Sequence, residues 1–128
     1  VIFMGDNGTP GRVRNRSVYA NGAKGTLYEG GLAVPMVISG SGVTRKNERD
    51  SNLINSTDLF ATIIEIAGGN STELPEDSIS FSRLLNSTEV SDRTFSFTEY
   101  DSDSTSGWAI RNENYRLINN GSEQQLFK

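Results

Sequence analysis

The chain has 128 residues, 34 % hydrophobic and 22 % charged, with 13 glycines and 3 prolines: the composition of a loop-rich globular chain with a modest core. A net charge of −4 leaves no basic footprint for nucleic acid, and no apolar run approaches the roughly 20 residues of a membrane span. Cysteine and histidine are both absent, which excludes disulfides and thiolate metal sites and leaves any acid–base work to carboxylates, Lys or Tyr.

Val1-Ile2-Phe3-Met4 opens the chain as an all-apolar run with no initiator Met or leader before it. Such a run predicts a strand buried on both faces, as in a parallel sheet. A strand of that kind needs neighbours, so the chain reads as a piece of a larger α/β protein. The turn-rich stretch Gly5-Asp6-Asn7-Gly8-Thr9-Pro10-Gly11 follows, then a polar loop over residues 12–22. Next comes Lys24-Gly25-Thr26-Leu27-Tyr28-Glu29-Gly30-Gly31, in which the glycine pair supplies backbone freedom and Glu29 braces the loop. Residues 34–40 form a second nearly all-apolar run suited to a buried parallel strand, with Pro35 at its start, where no ladder donor is needed.

A charged loop over 44–50 leads to the clearest helix, residues 58–67. Ser56 or Thr57 is placed to cap it, Asp58 suits the positive end of its dipole, and Gly68-Gly69 stops it. Leu59, Phe60, Ile63, Ile64 and Ala67 recur at helical spacing and predict its buried stripe. A polar connector over 70–78 and a short helical turn at 81–85 come next. From residue 91 the periodicity switches to two: Thr94-Phe95-Ser96-Phe97-Thr98-Glu99-Tyr100 alternates as a half-exposed antiparallel strand does. Two further strands flank Asn112-Glu113-Asn114, a hairpin turn, and Asn119-Asn120-Gly121 leads into a last strand at 125–127.

The chemistry concentrates in two places. A strand ending in Asp6-Asn7-Gly8 sets a carboxylate and a carboxamide at a sheet edge, where open α/β folds form ligand sites, and offers the hard oxygens that Ca²⁺ or Mg²⁺ selects. Lys24 beside Gly25 is a point charge that can approach an anion. Each signal alone has a plainer reading: Asp-Asn-Gly after a strand is most often a turn, and a lone Lys is most often solvated. Trp108 and Tyr100 either rim a sugar site or pack a small sheet. Asp101 and Asp103 read as an exposed acidic loop before they read as an accessory cation site. Asn-x-Ser/Thr sequons stand at Asn7, Asn15, Asn55, Asn70, Asn86 and Asn120, and a glycan on Asn7 would destroy a metal site there.

In this order, VIFMGDNG, KGTLYEGG, VPMVISGSGV, STDLFATIIEIAGG, DSISFSRLL and AIRNENYRLI with EQQLFK resemble the formylglycine-dependent sulfatases (arylsulfatases) of the alkaline phosphatase superfamily. The resemblance covers nearly the whole chain and matches the family's C-terminal portion. It implies an α/β fold: the C-terminal part of an alkaline-phosphatase-like α/β/α sandwich over residues 1–90, followed by a small antiparallel subdomain over 91–128. It also implies that Asp6 and Asn7 are ligands of an active-site Ca²⁺, preferred to Mg²⁺, and that Lys24 contacts the sulfate group in substrate binding and catalysis. The nucleophile, a formylglycine made within a C/S-x-P-x-R motif, would lie outside these residues, since no such motif is present. The 128 residues alone are therefore expected to be inactive.

The implied substrate is a sulfated small molecule or carbohydrate, and the family's usual location is periplasmic or extracellular. Two alternatives compete. One is a phosphatase or phosphonate monoester hydrolase of the same superfamily, which tends to carry Asp-His-Gly where this chain has Asp6-Asn7-Gly8. The other is a non-catalytic binding module that has lost the nucleophile.

Overall fold

The computed structural model describes residues 1–69, 75–102 and 105–128. Strand β1 (Ile2–Met4), helix α1 (Glu29–Leu32), strand β2 (Met36–Ile38) and helix α2 (Asp58–Ile66) are followed by a 3₁₀ turn (Ser82–Leu85). Four strands complete the chain: β3 (Ser96–Ser102), β4 (Thr105–Arg111), β5 (Arg116–Asn119) and β6 (Gln124–Phe127). The fold class is α/β with a small terminal sheet, as the sequence implies. The chain divides into two compact units, one formed by residues 1–38 with 97–128 and the other by residues 39–96.

In the first unit, β1 pairs with β2 in the register Ile2↔Ile38, Phe3↔Val37, Met4↔Met36, and the pairing is antiparallel. This corrects the expectation of buried parallel strands. Phe3 is 69 % and Val37 62 % exposed. A continuous apolar run reports a strand's affinity for cover on both faces, but it carries no information about the direction of the neighbouring strand. Pro35 stands just before β2 as expected, and its carbonyl accepts the Gly5 N–H at 3.0 Å, extending the ladder by one rung.

The terminal sheet runs in the order β3-β4-β5-β6, with β4–β5 and β5–β6 antiparallel. Both connecting turns are closed by asparagine. Asn112 Oδ1 accepts the N–H groups of Asn114 and Tyr115 at 2.9 and 2.8 Å, and Asn119 Oδ1 accepts that of Gly121, whose φ of 89° only glycine adopts without strain. The Ala109↔Ile118 pair faces inward and forms the unit's core with Leu27; these three are 3 %, 2 % and 5 % exposed. Tyr28, Leu32 and Phe127 pack around them. Trp108 stacks on Phe97 at 6.4 Å between ring centroids, the sheet-packing role of the two weighed for it, whereas Tyr100 stays exposed. Of the acidic pair in this sheet, Asp101 is exposed and Asp103 lies outside the described residues.

The second unit centres on α2. Its C-terminus is as predicted: Gly68 has φ 76°, and the Gly68 and Gly69 N–H groups return to Glu65 and Ile64. Its N-terminus and buried face are not. Thr57 stands at the N-cap but its side chain makes no capping bond; Asp58, in the first turn as expected, accepts the Asn55 N–H on Oδ2 at 2.7 Å. The buried residues are Asp58, Ala61 and Thr62, while Phe60, Ile63 and Ile66 are more than half exposed. Polar side chains explain the inversion. Ser78 Oγ accepts the Ala61 N–H and donates to the Thr57 carbonyl, Thr62 Oγ1 accepts the Phe81 N–H, and Asp58 Oδ1 accepts the Ile79 N–H. These bonds lay residues 78–81 along the polar side of the helix, and Phe81 and Leu84 seal it.

Arg93 completes this network. Its Nε and Nη2 meet the two Asp58 oxygens at 2.7 and 2.5 Å, so each carboxylate oxygen accepts one guanidinium and one backbone donor. Asp58 is 1 % and Arg93 9 % exposed.

Candidate functional site

The Asp6-Asn7 turn is seated by backbone contacts. Beyond the rung at Gly5, the Thr9 N–H donates to the Gly30 carbonyl and the Thr9 carbonyl accepts the Lys24 N–H, both at 2.9 Å. Gly8 is buried against the Gly30-Gly31 peptides, and a Cβ at position 8 would collide with both carbonyl oxygens. A Cβ at Gly31 would strike the carbonyl oxygens of Thr26 and Ala23. Neither Gly8 nor the Gly30-Gly31 pair has a positive φ. Their role is close approach of three backbone segments, which corrects the expectation that the Gly30-Gly31 pair supplies backbone freedom.

Three consequences follow for the candidate residues. Asp6, Asn7 and Lys24 are carried by segments hydrogen-bonded to one another, so the structure brings them into one region. All three side chains are exposed. The Asp6 carboxylate and the Lys24 ammonium make no hydrogen bond or ion pair among the described residues. Asn7 Nδ2 donates to the Gly8 carbonyl at 3.0 Å, which fixes the amide and leaves Oδ1 uncommitted among those residues.

One free carboxylate and one free carboxamide oxygen on adjacent residues fit part of a Ca²⁺ shell. No group of three or more acidic side chains that could hold a metal stands among the described residues, so these two donors would need others to complete it. Gly25 has φ 84° and open space around it, which gives the Lys24-Gly25 turn room on its solvent side.

The segment bearing Lys24 is tied to the terminal sheet at its far end. Leu27 enters the core, Tyr28 Oη donates to Gln125 Oε1 at 2.7 Å, and the Tyr28 and Phe127 rings meet edge to face at 5.7 Å. Glu29 does brace the loop, and its partners are two arginines: Arg116 closely and Arg111 at 3.4 Å. Arg116 also donates to the Leu27 carbonyl at 3.2 Å. Burial lowers the Arg116 pKa from its usual range and Arg111 nearby adds to this, while Glu29 opposes both. Neither arginine is identifiable as a partner of Glu29 from sequence, because more than 80 residues separate them. The only local signal is that both flank the same hairpin turn.

The profile of the sulfatase family matches residues 1–69, more than half of the chain. Among solved structures, a 2-O GAG sulfatase aligns with a TM-score of 0.78 at 19 % identity, covering 100 % of this chain and 28 % of that one. The chain thus spans little more than a quarter of that relative's length and has the fold of that part of it. On the strength of the family match over its first 69 residues, this chain belongs to the sulfatase family.

Proposed function

We propose that the protein acts in hydrolysis of sulfate esters, with Asp6 and Asn7 as ligands of a Ca²⁺ ion and Lys24 as a contact to the sulfate group. The observation that carries this reading is the seating of the Asp6-Asn7 turn on Gly30-Gly31, next to the Lys24 backbone, with all three side chains left exposed. When bound, Ca²⁺ would supply charge compensation for a sulfate oxygen and the nucleophile. Lys24 would bring a second positive charge to the developing negative charge on the sulfuryl group. Asn7 would present Oδ1 in the orientation set by its own Nδ2–H bond to Gly8, and Asp6 would supply the anionic donor. The nucleophile, a formylglycine, is expected in sequence outside these 128 residues.

A sulfated carbohydrate is the favoured substrate class, in keeping with the fold shared with a 2-O GAG sulfatase, and a periplasmic or extracellular location suits such a substrate. Among the described residues no helix is long and apolar enough to cross a membrane. The test is sulfate release from aryl and carbohydrate sulfates by the chain joined to its nucleophile-bearing part. Lys24→Ala is expected to lower turnover by about 10²–10³-fold with the fold unchanged. Asp6→Ala is expected to abolish Ca²⁺ binding and turnover together. Full activity in both variants would overturn the assignment, and release of phosphate but not sulfate would favour the phosphatase alternative.

A further inference from the structure

Beside the braced segment lies a groove of about 310 Å³, lined from one side by Tyr19, Tyr28 and Glu29 and from the other by the β4–β5 hairpin with Arg111 and Tyr115. It lies wholly within the unit formed by residues 1–38 and 97–128. A volume near 300 Å³ is at the small end for a ligand pocket, enough for one ring and its substituents.

The chemistry of its walls is mixed in a particular way. Tyr19, Tyr28 and Tyr115 line the groove; Tyr115 is 46 % exposed, and the Tyr28 hydroxyl is already bonded to Gln125. The single carboxylate of Glu29 is shared between two guanidinium groups, so one positive charge in that trio is not neutralised. Arg116 is drawn inward, its side chain 11 % exposed and bound to Glu29 and the Leu27 carbonyl. Arg111 keeps a long contact to Glu29 and a side chain 42 % exposed, and it lines the groove. Glu113 and Lys128 on the rim contribute one charge of each sign. An arginine fork recognises sulfate or carboxylate through paired N–H bonds.

We propose that this groove binds one saccharide unit bearing an anionic substituent, adjacent to the unit acted on at Asp6, Asn7 and Lys24. The ring lies against Tyr28 and Tyr115, and the anionic group meets Arg111. The assignment rests on the sulfate-ester reading for its choice of substrate. Tyr28 stands four residues after Lys24, at most about 14 Å along the chain, a reach that a short oligosaccharide covers. The segment would then serve two neighbouring parts of one substrate, with Lys24 at one end and the groove at the other.

The experiment is an NMR titration of the isotope-labelled chain with three probes: a sulfated glycosaminoglycan disaccharide, its unsulfated counterpart and inorganic sulfate. The sulfated disaccharide is expected to give saturable shifts at the Tyr28 and Tyr115 rings and at Arg111 Nε. Its Kd is expected to rise at least tenfold in Arg111→Ala and, separately, in Tyr115→Ala. Shifts that are absent, that survive both groove variants, or that inorganic sulfate reproduces at the same concentrations overturn the proposal. Hydrolysis of a small aryl sulfate separates the two readings. If release proceeds while the groove stays silent, the groove assignment falls alone. If the groove binds while the nucleophile-bearing protein releases no sulfate from any ester, the sulfatase reading falls alone.

Discussion

Asp6 and Asp58 are the same residue type in two regions built on opposite principles. Asp58 is 1 % exposed and accepts four donors, two from Arg93 and two from the backbone. Every lone-pair site of that carboxylate is occupied, so its charge holds residues 55–58, 78–81 and 93 together and is spent on folding. Asp6 sits on a turn held by peptide groups and glycines, and its carboxylate has no partner among the described residues. Where the backbone carries the architecture, side chains are left free to bind a ligand. Where side chains carry it, they are not.

The sharpest way to break this contrast is to remove both carboxylates in turn. Asp58→Ala leaves the Arg93 guanidinium buried and unpaired, and is expected to cost about 3–5 kcal/mol in urea or thermal unfolding. A smaller loss than that would mean Arg93 swings out to water. The paired replacement Asp58→Leu with Arg93→Met is expected to recover much of the loss, because neither charge is then stranded.

Gly8→Ala comes next, with an expected cost of about 1–3 kcal/mol, since its Cβ meets peptide oxygens that have no room to move. Gly42→Ala, where a Cβ meets nothing within 4 Å, is the control and should lie within about 0.5 kcal/mol of the parent. If both behave alike, the seating of the Asp6-Asn7 turn is looser than its geometry implies.

Acid sharpens the comparison more gently. The carboxyl of Asp50 is pushed up by burial, but hydrogen bonds from the Arg45 guanidinium and from Asn52 outweigh that and hold it below its usual range. Hydrogen bonds from Ser80 and Ser82 do the same for Glu65. A carboxyl whose folded pKa lies below its unfolded one contributes stability above the unfolded value, about 4, and loses it as pH falls through the folded value. Residues 39–96 are therefore expected to loosen first, below about pH 4, as read by amide exchange across the chain. Uniform loss of protection would count against it.

The smallest effect on stability is expected at Asp6. Asp6→Ala should shift the unfolding free energy by no more than about 0.5 kcal/mol, while Ca²⁺ titration followed at Asn7 loses its response. A large loss of stability would return Asp6 to a structural role.

Local features were legible because neighbouring residues decide them. The αL stop at Gly68 and the hairpin turns at Asn112 and Asn119 rest on contacts within a few residues. The start of α2 shows the limit: Thr57 has the chemistry of a capping side chain yet makes no capping bond, and Asp58, expected only to suit the dipole, is taken up by Arg93 and Ile79, far along the chain. The buried face of α2 was misread for the same cause. Hydrophobic spacing marks Phe60 and Ile63, whereas Ser78 and Phe81 bury the Asp58-Ala61-Thr62 side through hydrogen bonds that no periodicity records.

By itself the sequence determined the α/β class, the position of most elements and the sulfatase family, and it singled out Asp6, Asn7 and Lys24 as candidates. The tertiary structure alone decided that β1 and β2 run antiparallel, that Gly8, Gly30 and Gly31 serve close approach, and that Glu29 answers to Arg111 and Arg116. The physical reason is range. Propensity, caps and turns act over one to four residues, while strand direction, interpeptide clearance and ion pairing join residues that only the folded chain brings within a few ångströms.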